Sequence, residues 1–149
     1  MSDANKRLVR RYYEEVVSTG DVDAVPSFIA VDYTEVHEGT RYPLGVEGAR
    51  AHITGVRATY GDLRLTVDRQ IAEGDWVVSM VTMRGRHVGE WMGIAPTGRD
   101  VVMTGVNVDC IVDGRIVEHG GAANLLGPLM QIGAITLGAP PPTEPRPAD

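Results

Sequence analysis

Hydrophobic periodicity changes once along this chain, and the order of the two periods restricts the fold more than any other feature. Before Gly61 apolar residues return every three or four positions; after it they alternate with polar ones. Leu8, Val9, Tyr12, Tyr13, Val16 and Val17 mark an amphipathic helix over about residues 4–18. Gly20 suits a left-handed cap, and Asp21 opens a shorter helix with Val22, Val25, Phe28 and Ile29. Val46, Ala49, Ile53, Val56 and Tyr60 line one side of a third helix after Gly45. The alternating part comprises Leu63, Leu65 and Val67, then Trp76–Met83, then Val101–Val112. Glu73-Gly74-Asp75, Pro96-Thr97-Gly98 and Asp113-Gly114 punctuate it, and Asp-Gly suits the turn that joins twisted antiparallel strands. Helices followed by antiparallel strands predict an α+β fold with the helices on one face of a curved sheet. A bent sheet closed by helices leaves a pocket.

Length and charge exclude several classes of function. The 149 residues suit one domain with a core of useful size. A net charge of -6 and the absence of any basic run argue against nucleic acid, whose phosphates need clustered Lys and Arg. Cys110 is the single cysteine, so neither an internal disulfide nor a cysteine-built zinc site is available. The four histidines lack the spacings of a metal-ligand set, and no phosphate loop, dinucleotide fingerprint or nucleophile elbow occurs. A site without metal or cofactor is expected. Met1–Arg11 is polar, and no apolar run approaches the ~20 residues that span a bilayer, so a cytoplasmic protein is the default. Composition departs only at the end, which divides the chain into a folded domain over 1–135 and a Pro-rich tail over 136–149. Repeated proline bars that tail from a helix interior or a central strand.

Within the strand region, Gly85-Arg86-His87-Val88-Gly89-Glu90-Trp91-Met92-Gly93-Ile94-Ala95-Pro96-Thr97-Gly98-Arg99 is followed by Val112-Asp113-Gly114-Arg115-Ile116-Val117-Glu118-His119. This pair of segments resembles the signature of the SnoaL-like polyketide cyclases, or ester cyclases. Those are cone-shaped α+β proteins built like nuclear transport factor and ketosteroid isomerase. The resemblance extends over about residues 5–135. It implies a small hydrophobic, polyketide-like ligand and a homodimer paired sheet against sheet.

Alternation sorts the Val101–Val112 run into a Met103, Gly105, Asn107, Asp109, Ile111 face and a Thr104, Val106, Val108, Cys110, Val112 face. The pattern alone leaves open which face is inside. Similarity of Val106-Asn107-Val108 to the oxyanion-hole stretch of ketosteroid isomerase implies that Asn107 and Asp109 face the cavity. It leaves the Val106, Val108 and Cys110 side to the helix layer or a second subunit. The same comparison puts Tyr13 at the isomerase's oxyanion tyrosine and His37 at its general base. It also turns His119 inward on the final strand. A phenol and an amide donating to an enolate, with an imidazole moving the proton, form a coherent set. A carboxylate in an apolar strand is costly unless used or paired, which singles out Asp109 as an alternative base. His119 is then an acid or an orienting group. Tyr33, Trp91, Met92, Met103 and Leu126 are expected as pocket walls, and Asn124 as the cap of a short C-terminal helix.

The resemblance breaks at two positions. Where the cyclases keep an aspartate two residues after the final-strand histidine, this chain has Gly121. Where they keep a histidine on the preceding strand, it has Asn107. The aldol mechanism therefore does not carry over unchanged. The leading expectation is a cofactor-independent enzyme doing acid/base chemistry on a hydrophobic carbonyl compound: cyclisation, isomerisation or dehydration. The alternative is a non-catalytic, ligand-binding or accessory cone protein.

Overall fold

The computed structural model describes residues 2–138; Met1 and the stretch from 139 onward, which holds nearly all of the Pro-rich tail, lie outside the described residues. An N-terminal helix α1 (Ser2–Arg11) continues as a π-helical segment (Tyr12–Val17), and a 3-10 helix (Val22–Ser27) follows. Then come β1 (Ile29–His37), β2 (Thr40–Pro43), α2 (Gly45–Thr59), β3 (Tyr60–Glu73), β4 (Trp76–His87), β5 (Asp100–Val112), β6 (Arg115–Ala123) and α3 (Leu126–Gln131). The six strands form one sheet in the order β2-β1-β6-β5-β4-β3. All neighbours are antiparallel except β1 and β6, which run parallel.

The expected α+β architecture is present, and the turns behave as their residues dictate. Gly20 adopts φ 77 and its N–H reaches the Val16 carbonyl at 2.8 Å, ending the first helix. Asp113 and Gly114 take φ 49 and 71, the paired positive values of a two-residue hairpin turn, so Val112 lies opposite Arg115. Three expectations are corrected. Ile29 and Tyr60, placed on helices by periodicity, are the first residues of β1 and β3. The strands β1 and β2 occupy a stretch in which no strand was expected. Asn124 does not cap α3: Leu125 holds that position without a side-chain cap, and the Asn124 N–H donates to Thr104 instead at 2.8 Å.

Odd-numbered residues of β5 and the matching residues of β3 and β4 (Leu63, Val67, Val77, Val81) face the helices. There Val9, Val16, Val25, Ile53 and Tyr33 close the main core. The opposite face carries Met80, Val102, Val106 and Val112, all exposed. Among the described residues no helix covers it, so the choice left open by alternation falls against the helix layer.

Ser18 ties the end of the π-helical turn to the sheet. Its hydroxyl accepts from the Leu65 N–H at 2.8 Å, and its own proton is within reach of the Tyr13 and Leu65 carbonyls at 3.0 and 3.1 Å. The backbone N–H of Ser18 also reaches Tyr13 at 3.0 Å, the five-residue span of a π turn. Because the residue is buried, Ser18→Ala leaves the Leu65 N–H without its acceptor. We expect a loss of about 1–3 kcal/mol in urea unfolding; a change under about 0.5 kcal/mol, the ordinary scatter of surface substitutions, would contradict this role.

Candidate active site

Strand register assembles the site. Asp109 on β5 lies directly across from His119 on β6, and His119 lies directly across from Glu35 on β1. Neighbouring strands are ~4.8 Å apart, so three ionisable side chains form one row across the cavity floor. Tyr13 descends onto this row from the π-helical turn.

Asp109 is the deepest member, with 1% of its surface exposed. Such a carboxylate needs donors, and it has two. The Tyr13 hydroxyl donates to Oδ2 at 2.6 Å, and His119 Nδ1–H donates to Oδ1 at 2.9 Å. Tyr13 Oη also lies 3.3 Å from His119 Nδ1, but both protons are already directed at the carboxylate. This arrangement fixes the His119 tautomer and ring plane. Among the described residues nothing hydrogen-bonds its Nε2, and the ring lines the cavity.

Electrostatics follow from this packing. Burial pushes the His119 imidazole down, but the Asp109 hydrogen bond, the Asp109 charge and the Glu35 charge outweigh it and raise the pKa above the ordinary histidine value. Burial, the Asp109 charge and the bond to Asp109 hold Tyr13 well above the ordinary phenol value, against a smaller opposing effect of the Asn107 amide. Tyr13 is therefore a neutral donor whose proton is committed to Asp109.

The cavity above the row has a volume of about 240 Å³ and mainly apolar walls, including Val17, Ile53, Val56, Leu65, Val81 and Met83. Of the residues expected from sequence, Tyr13, Asn107, His119, Tyr33 and Met103 line it, and Asp109 lies beneath. Others do not join them. His37 shares strand parity with Tyr33 and Glu35 but lies past the cavity, exposed at the tip of β1 opposite Thr40. Trp91 packs into a second core with Tyr60, Leu63 and Ile132, stacked edge-on against Tyr60 and His87. Met92 is 67% exposed at φ 53 in the β4–β5 connection, and Leu126 is exposed at the start of α3. Neither lines the cavity. His87 shapes that connection: Thr97 N–H reaches its Nδ1 at 3.3 Å, and its backbone pairs with Gly98 and Arg99.

Two cavity residues escaped the sequence reading. Glu35 accepts from the Tyr33 hydroxyl at 3.1 Å and from His52 Nδ1 at 2.6 Å. Burial pushes Glu35 up, yet the His52 hydrogen bond and charge, with His119 and Tyr33, bring it below the usual carboxylate value. A signal for His52 existed: Ala49, His52, Ile53 and Val56 follow the i, i+3, i+4, i+7 spacing of one helix face, and all four line the cavity. Among the described residues no group of three or more His, Cys, Asp or Glu is placed to hold a metal ion.

Comparison with known proteins decides the family. The SnoaL-like polyketide cyclase model matches residues 7–132. The chain belongs to the SnoaL-like polyketide cyclase family. It is 34% identical over 125 residues to the nogalonic acid methyl ester cyclase of Streptomyces nogalater, covering 78% of this chain and 88% of that protein. It is 31% identical over 129 residues to the aklanonic acid methyl ester cyclase DnrD of Streptomyces peucetius, covering 85% and 88%. Among solved structures, TsrD from Streptomyces laurentii matches with TM-score 0.79 and 29% identity over 89% of this chain and 97% of that one. IdmH from Streptomyces antibioticus matches with TM-score 0.74 and 30% identity, covering 87% and 98%.

Within this family member, Gly121 lies directly across from Asn107. Its φ is 150, and a Cβ there would run into the Val106 carbonyl oxygen and crowd Asn107 Cα. The strands β5 and β6 are thus too close for an aspartate at this position.

The dyad has a pH signature. His119 binds its proton more tightly folded than unfolded, so this preference contributes fully below the unfolded histidine value of ~6.5 and is lost as pH rises through the folded value. Asp109→Asn removes the main cause. We expect the variant's His119 to titrate lower by NMR, and the stability gap between wild type and variant to narrow as pH rises through the wild-type folded value. An unchanged His119 titration would refute the dyad.

Proposed function

We propose that this protein is a cofactor-independent, cytoplasmic enzyme that enolises and cyclises a polyketide-like carbonyl compound held in the cavity. One observation carries the reading: an imidazole fixed at Nδ1 by a buried carboxylate presents its free Nε2 to an apolar pocket. In that setting a protonated His119 donates from Nε2 to the carbonyl oxygen as negative charge develops there, and the Asn107 amide on the facing strand adds a second donor. Asp109 holds the ring and balances the imidazolium. Tyr13 holds Asp109, a role one step removed from the direct oxyanion contact expected for it. The cavity walls exclude water, which strengthens these interactions and protects an enolate from stray protonation.

The two named relatives support the substrate class, since both are methyl ester cyclases and cover most of this chain. A non-catalytic holder has less support, because a merely apolar pocket needs no oriented dyad. His119→Gln tests the reading with nogalonic and aklanonic acid methyl esters as probes. We expect cyclisation by the wild type and about a 100-fold or larger loss in the variant. We also expect a bound 2-naphthol to ionise at a lower pH than the free phenol in the wild type only. No turnover of either ester together with an unshifted phenol would sink the proposal.

A second copy is the partner we propose for the uncovered sheet face. Met80 pairs with Val106, Val78 with Val108 and Trp76 with Cys110, giving an apolar row that a two-fold axis can oppose to itself. An exposed apolar row of this kind suits a protein-protein contact. Sedimentation should give a dimer for the wild type and a monomer for Met80→Glu; a monomeric wild type at micromolar concentration rejects this.

A further inference from the structure

The proposed function leaves the proton acceptor unassigned. His37 lies off the cavity, and both Asp109 oxygens already hold donors. Glu35 is different. Tyr33 and His52 both bond to its Oε1, and among the described residues nothing hydrogen-bonds Oε2. Its side chain is 19% exposed and lines the cavity, in direct register with His119 on the neighbouring strand. Glu35 and His119 are thus built alike: each has one atom anchored and the other free, side by side on the same floor.

We propose that Glu35 is the general base of this enzyme, acting through Oε2, with His52 as the residue that positions it. The inference rests on the reading of His119 as the acid. In the step, Glu35 Oε2 takes the proton from the carbon next to the substrate carbonyl as that C–H bond breaks. The electron pair moves onto the carbonyl oxygen, which receives the hydrogen bond of His119 Nε2–H. The enolate carbon then bonds to a second carbonyl carbon of the same molecule. The alkoxide so formed takes up the proton now carried by Glu35, which restores the carboxylate, so the ring closes with no net gain or loss of protons. No oxidant, reductant or co-reactant is required.

Several features agree with this role. His52 and His119 supply positive charge on either side of Glu35, which keeps it ionised despite burial. Burial and the neighbouring Glu35 charge keep the Tyr33 phenol far above its ordinary value, so it remains a donor to Oε1 and does not compete for the substrate proton. His52 is 48% exposed and the Glu35 side chain 19%, so solvent reaches the pair mainly from the His52 side.

The experiment compares Glu35→Gln, Glu35→Asp and His52→Gln with wild type and His119→Gln, using the two methyl esters for turnover, deuterium uptake from D2O for proton abstraction, and 2-naphthol for oxyanion binding. Glu35→Gln should lose about 100-fold or more in kcat and in deuterium uptake. It should still bind 2-naphthol and lower its pKa, which His119→Gln should not. Glu35→Asp should recover part of the rate. His52→Gln should lower kcat with KM unchanged, and imidazole added to the solution should restore it. Wild-type rates in Glu35→Gln beside an impaired His119→Gln would overturn the Glu35 assignment and leave His119 as the acid. Loss of 2-naphthol binding in Glu35→Gln would overturn it too, by making Glu35 a binding residue. Wild-type kcat in His52→Gln would overturn the positioning role. Absence of both turnover and deuterium uptake in the wild type would remove both readings together.

Discussion

A carboxylate buried at the floor of an apolar cone is the constraint on which the rest of the site depends. Removing Asp109 from water is costly unless both oxygens find donors, and the donors come from opposite ends of the chain. Tyr13 arrives from the first helix, and His119 from the last strand. Satisfying Asp109 therefore locks the N-terminal helix, β5 and β6 into one arrangement. The wider turn at Tyr12–Val17 belongs to the same solution: it brings two adjacent tyrosines, Tyr12 and Tyr13, to the cavity, and Ser18 pins its end to β3.

Charge alternates along the row that results: His52, Glu35, His119, Asp109, then the neutral phenol of Tyr13. Each inner member has an oppositely charged neighbour, which compensates for lost hydration. The order also separates tasks by depth. At the buried end the carboxylate oxygens of Asp109 and the hydroxyl of Tyr13 are paired, which suits the orienting role proposed for them. In the middle, His119 Nε2 and Glu35 Oε2 remain free beside the cavity. Under the assignments proposed above, a row of this kind would place acid and base on adjacent strands in a cone that lacks an aspartate at position 121. Close approach of β5 and β6 at Gly121 closes off the other position.

Much of the fold was legible in the residues. The change of period near Gly61, the Asp113-Gly114 turn and the shared face of Asn107 and Asp109 all carry over, because local sterics and alternation act over a few residues; that this face points inward came from the family resemblance. The missed strand β1 has a physical explanation. It contains Asp32, Thr34 and Glu35 among its apolar residues, and its pairing with β6 breaks register between Ile29 and Thr34. Its inner partner β6 lies more than eighty residues away, in a parallel pairing that no local turn announces, and only the short β2 joins it locally. With β1 unseen, nothing pointed to Glu35, although Tyr33 and Glu35 share a face, and His37 was named from the resemblance alone. Trp91 and Met92 were misplaced for a related reason: a connection without regular structure, held by His87 and Thr97, gives no period from which to read a direction.

Sequence by itself determined the class of fold, the resemblance to the family, the two faces of β5 and a glycine at position 121 where the cyclases keep an aspartate. These depend on residue identity and on periods set by backbone geometry. Only the tertiary structure decided which groups act together. Tyr13, Glu35, His52, Asp109 and His119 lie on five different elements, and their meeting is set by strand register and helix docking. Protons move over hydrogen-bond distances, and distances between remote segments exist only once the chain has folded.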